Sequence, residues 1–69
     1  MSLDIKFYVT IVILKNLNEG VRVETFGGWH TNEYESLGSA ISKCKKDFPR
    51  LEIVSHKVHE ITDIVRSGL

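Results

Sequence analysis

LDIKFYVTIVIL, residues 3–14, is where the fold class of this chain is written. Each odd position is apolar (Leu3, Ile5, Phe7, Val9, Ile11, Ile13), while the even positions begin Asp4, Lys6, Tyr8 and Thr10. Side chains along a strand point alternately to its two faces, so this pattern predicts a half-buried strand. From Val12 to Leu14 the even face also turns apolar, so that end should be covered on both sides or meet a partner.

Downstream, Asn16, Asn18, Glu19 and Gly20 supply turn chemistry, because Asn and Gly tolerate positive φ and Asn bonds its own backbone. A hairpin is expected. Its second strand runs from Val21 to Phe26, with Val21, Val23 and Thr25 on one face and Arg22, Glu24 and Phe26 on the other. Gly27 and Gly28 should break that strand, leaving it about half as long as the first and putting Trp29 and His30 in a loop.

Asn32 then has the character of a helix N-cap, and Glu35 three residues later completes a capping box of the Asn/Asp type. Tyr34, Leu37, Ile41, Cys44 and Phe48 recur at three- and four-residue spacing and predict an apolar stripe facing the core. Glu33 and Glu35 at the start and Lys43, Lys45 and Lys46 near the end complement the helix dipole, and Pro49 stops the helix at Phe48. Gly38, within the stripe, is expected to let the helix approach the sheet closely.

A third strand is expected from Leu51 to Ile61. Its apolar phase slips once, and a β-bulge near Ile53 and Val54, of the kind common on edge strands, would absorb the slip. Thr62 would cap a short helical turn carrying Ile64 and Val65, with Ser67, Gly68 and Leu69 frayed.

Together these elements predict one α+β domain over residues 1–69: a three-stranded antiparallel sheet in the order 2-1-3, one helix on one face, and a short C-terminal helical turn. The helix, of roughly four turns, can roof only one face. The opposite face is expected to carry Tyr8, Thr10, Val12, Leu14, Arg22, Glu24 and Phe26, with Trp29 and His30 beside it. An exposed, partly apolar surface of that kind marks a contact site, the alternative being that the C-terminal segment with Ile61, Ile64 and Val65 folds under and covers it.

Composition narrows the functional classes. An apolar fraction of 42% is that of a folding chain, and nine basic side chains balance nine acidic ones, so no overall field draws the protein to nucleic acid or membrane. A domain this small buries only roughly 60% of the surface its unfolded form exposes, which leaves little stability to spare. Cys44 is the only cysteine, so an intrachain disulfide is impossible and a reducing cytoplasm is the expected compartment. Asp4, Lys6 and Thr10 interrupt the N-terminal apolar stretch, which reads as neither a signal peptide nor a membrane span.

The candidate chemistry is sparse. His30, His56, His59 and Cys44 are metal-ligand types, but residues three apart on a strand face opposite ways and Cys44 belongs to the helix stripe, so no metal or cofactor is expected. The serines sit on the helix or a strand and the glutamates scatter over solvent positions, so the chain does not read as an enzyme. The leading expectation is a protein–protein interaction module: a homodimer, or a small regulator or inhibitor docking on a larger protein through its open sheet face or a strand edge. The alternative is a nucleic-acid-binding domain using Lys43, Lys45, Lys46, Arg50 and Lys57, with Trp29, Tyr8 or Phe26 stacking on bases.

Overall fold

A computed structural model describes residues 4–18 and 20–68. The strand start at Leu3, the turn role of Glu19 and the fraying of Leu69 lie outside the described residues. Five elements follow one another: β1 (Lys6–Asn16), β2 (Gly20–His30), α1 (Glu33–Asp47), β3 (Glu52–Glu60) and α2 (Thr62–Arg66). The strands form one sheet in the order β2-β1-β3, with β1 antiparallel to both neighbours. This is the expected α+β architecture, and β1, the most apolar strand, lies at its centre.

Several local readings hold. Asn32 Oδ1 accepts the Glu35 amide at 2.9 Å, α1 ends on Phe48 before Pro49, and the register of β1 against β3 shifts between Ile13 and Leu14, leaving Val54 as the extra residue. At the hairpin, the Asn18 amide donates to Asn16 Oδ1 at 2.7 Å and Gly20 takes φ +77°, where a side chain would be strained.

The faces of the sheet are the reverse of the expectation. Tyr8, Thr10, Val12 and Leu14 are buried under α1, and the core is Val12, Leu14, Ala40 and Cys44 with Phe26, Phe48, Leu51 and Ile53 packed around it. Arg22 and Glu24 lie on this covered side too: the Arg22 guanidinium sits 4.2 Å over the Phe48 ring, and its Nε bonds Glu24 Oε2 at 3.1 Å. Period-two alternation separates the two faces of a strand without saying which one is roofed. That choice follows from the hairpin register and from the path of the β2–α1–β3 crossover, whose strands are parallel and whose preferred hand is right.

The helix seam is also rotated from the expected stripe. Ser36, Ala40 and Cys44 point inward, Leu37 and Ile41 flank them half-buried, and Tyr34 is 76% exposed. Small residues at four-residue spacing let the helix lie close to the strands, and Ser36 Oγ pairs with Thr10 Oγ1 at 2.8 Å inside the interface. Gly38 faces outward, and a Cβ built there would meet nothing within 4 Å, so it plays no part in the close approach.

β2 does not stop at its glycines. It pairs with β1 along its whole length, from Asn16↔Gly20 to Lys6↔His30, and includes Val9↔Gly27 and Tyr8↔Gly28. The glycines serve as seats for rings on opposite faces. A Cβ at Gly27 would lie 3.2 Å from Phe7 Cζ, and one at Gly28 would lie 3.1 Å from His30 Nε2. Trp29 and His30 are therefore strand residues rather than loop residues.

The tail is tied to the start of β1. Ile61 donates its amide to the Phe7 carbonyl at 2.9 Å, and the Phe7 amide donates to Thr62 Oγ1 at 2.9 Å. Thr62 is thus not the cap of α2; that position belongs to Ile61, and the Thr62 hydroxyl completes the β1 ladder instead. Ser67 and Gly68, expected to fray, return amide bonds to Asp63 and Val65 at 3.0 and 3.2 Å.

Candidate interaction surface

The face away from α1 carries the odd residues of β1. Phe7, Val9, Ile11 and Ile13 stand half-buried along its centre. On the β2 side they pair with Trp29, Gly27, Thr25 and Val23, and Lys15 pairs with Val21. Val21, Val23 and Trp29 are 66%, 56% and 47% exposed, the Trp29 ring standing edge-on to Phe7 with centroids 5.2 Å apart. Along β3 the same face is polar, with Ser55, Lys57 and His59 opposite Ile13, Ile11 and Val9. The surface is graded, greasy towards β2 and basic towards β3.

Of the nine residues expected on a contact surface, Trp29 is the one this face presents. Tyr8, Thr10, Val12 and Leu14 are core, Phe26 packs against the core, and Arg22 and Glu24 lie beside Phe48 on the helix side. His30 turns to the helix side as well. Its Nδ1 lies 3.3 Å from Glu35 Oε1, and that carboxylate also accepts the Thr31 amide at 3.2 Å and the Thr31 hydroxyl at 3.1 Å. These bonds, the Thr31 amide first, hold the Glu35 carboxyl below its usual range. Sequence reasoning missed the odd-phase face because its apolarity marked it for the core.

No protein family, curated protein or solved structure matches this chain. The geometry therefore stands on its own.

The basic residues do not form one surface. Lys43, Lys45 and Lys46 project from α1, whereas Lys57 pairs with Ile11 on the opposite face of the sheet. Lys43 Nζ rests 5.7 Å from the centroid of the Phe26 ring. Tyr8 and Phe26, offered as stacking platforms, are buried and half-buried on the helix side, which leaves Trp29 as the accessible ring of the three.

His56 pairs with Val12 and His59 with Val9, so these two imidazoles occupy opposite faces. Among the described residues no group of three or more His, Cys, Asp or Glu side chains converges. Cys44 is fully buried, and loss of solvent pushes its thiol pKa up, away from the reactive thiolate. Depressions of 290 Å³, lined by Asp4, Lys6, Glu60, Asp63 and Arg66 among others, and of 260 Å³ between Tyr34 and His56 are open and shallow. Among the described residues, no helix is long and apolar enough to cross a membrane.

The molecule is elongated, with extents of 47 × 27 × 16 Å. A radius of gyration of 13.7 Å exceeds the roughly 11 Å of a compact chain of this length.

Proposed function

We propose that this protein is a non-enzymatic protein-interaction module, pairing with its own kind or docking on a larger protein as a small regulator or inhibitor does. The carrying observation is the sheet face away from α1, where Phe7, Val9, Ile11 and Ile13 stand half-buried and Val21, Val23 and Trp29 are exposed. Covering such a surface releases about 25 cal/mol for each Å² of apolar area, enough to drive docking without any catalytic group. The buried thiol of Cys44 suits a reducing compartment, and we place the protein in the cytoplasm.

Trp29 is the chain's single tryptophan and stands on this face, so it reports directly on occupancy. With 5-fluorotryptophan incorporated, its fluorine resonance is recorded in buffer and in native cell extract. The expected result is a shifted or broadened line in extract that returns to the buffer position when Ile11→Lys is introduced on the same face. A line equally sharp and unmoved in both media removes the open face as a docking surface.

A further inference from the structure

The two edges of the sheet are built differently. β3 carries the usual devices against unwanted pairing: it is the shorter strand at 9 residues, it has a bulge at Val54, and it projects Lys57. β2 has none of them. Its 11 residues keep unbroken register with β1, contain no Pro or Lys, and end the sheet with no strand on their outer side among the described residues. A regular free edge of this kind is a template for another strand.

The side chains of β2 name the strand that fits. Directly opposed residues in an antiparallel pair share a face, so two copies of β2 can meet only in registers centred on a residue. Centring on Arg22 or Glu24 opposes like charges at the axis, and centring on Thr25 sets Arg22 against Gly28 and Glu24 against Phe26. Centring on Val23 sets Arg22 of each copy against Glu24 of the other, Val21 against Thr25, and Val23 against itself. That register has two opposite-charge pairs on the helix side and three β-branched pairs on the open face, with Gly20 opposite Phe26 at each end.

We propose that β2 pairs antiparallel with the β2 of a second copy, centred on Val23, to make a six-stranded sheet. This deepens and rests on the interaction-module reading, since the joined sheet presents two open faces side by side to a larger partner. Arg22 and Glu24, bonded within one chain at 3.1 Å, become half of a four-charge ring of alternating sign across the two-fold axis. The zero net charge of the chain leaves no long-range repulsion between copies.

Charge exchange tests the register. Arg22→Glu and Glu24→Arg should each weaken self-association about tenfold or more in sedimentation equilibrium, because each opposes like charges across the axis. An equimolar mixture of the two variants should recover wild-type association, since all-acidic and all-basic strands then face each other. Val23→Cys lies on the axis and should form a disulfide-linked dimer under mild oxidation, whereas the wild type, whose one thiol is buried, should not. A wild type that stays monomeric at high micromolar concentration overturns the dimer. A dimer that neither variant weakens and Val23→Cys does not link is joined elsewhere, and overturns the register. Trp29 lies outside the paired segment, so its fluorine signal in extract judges the open-face reading separately from either outcome.

Discussion

The two faces of β1 differ in a way their composition would not suggest. The covered face carries Tyr8, Thr10, Val12 and Leu14, and the open face carries Phe7, Val9, Ile11 and Ile13. By hydrophobicity the open face is the better core. What the covered face has instead is a fitted roof: Ser36, Ala40 and Cys44 are small enough for α1 to lie close, and the fully buried Thr10 hydroxyl meets the Ser36 hydroxyl. The choice of core here is set by which surface the helix can match, and the greasier surface stays half-exposed on the far side of the sheet.

Truncation of adjacent residues should expose this contrast most strongly. Leu14 is 1% exposed and belongs to the core, so Leu14→Ala should cost about 2–5 kcal/mol in urea denaturation. A domain of this size has roughly 3–5 kcal/mol in total, so the variant should be largely unfolded at room temperature. Ile13→Ala, one residue away on the open face, should cost only about 1 kcal/mol because its side chain is already partly in water. Equal losses at the two positions would mean that the open face is covered in solution.

The polar contact within the covered face gives the next effect. Thr10→Val leaves the Ser36 hydroxyl buried without a partner, and Ser36→Ala does the same to Thr10, so each should cost about 1–3 kcal/mol. Combining them should cost clearly less than the two together, a coupling that a double-mutant cycle reads directly. Simple addition would show that the pair does not hold the helix to this face.

Much of the fold was legible because it depends on local pattern. Alternation in β1, the Asn32 cap, Pro49 after the helix and the phase slip at Val54 each have a short-range cause, and together with connection rules they give the order β2-β1-β3. The assignment of faces was not legible, because Phe7–Ile13 and Tyr8–Leu14 can each serve as a core side and only the helix seam separates them. That seam was hidden by its chemistry: Ser36 and Ala40 are not strongly apolar, whereas Tyr34, which is, stands in water. The run through Gly27 and Gly28 was hidden for a related reason, since both glycines pair with β1 and leave room for the Phe7 and His30 rings, neither of which their own composition announces. Trp29 reached the open face through that continuation of β2, and of the expected contact residues it alone lies there.

The outer surface of α1 offers a smaller and opposite change. Gly38 is helical, exposed and free of neighbours where a Cβ would stand, so Gly38→Ala should raise stability by about 1 kcal/mol, seen as a higher urea midpoint at unchanged slope. A loss instead would place Gly38 against the sheet and return the seam to the Tyr34–Leu37–Ile41 stripe.

Acid should loosen the ties that hold the roof and the tail without touching the apolar contacts of either face. Glu35, fixed by Thr31 and His30, and Glu60, fixed by the Thr62 hydroxyl and amide, both have carboxyl groups held below their ordinary value of 4.5. A depressed folded pKa means the unfolded chain takes up the proton first. The stabilisation is therefore complete above the ordinary carboxylate value and is lost as pH falls through the lower folded values. Both groups are solvent-exposed, so the effect is the smallest of the series. Stability followed by urea midpoint should be level above the ordinary carboxylate value and decline below it, and Glu35→Gln with Glu60→Gln should flatten that decline. If the double variant declines as steeply as the wild type, other carboxylates carry the acid sensitivity, and the link between β2, α1 and the tail is weaker than its hydrogen bonds imply.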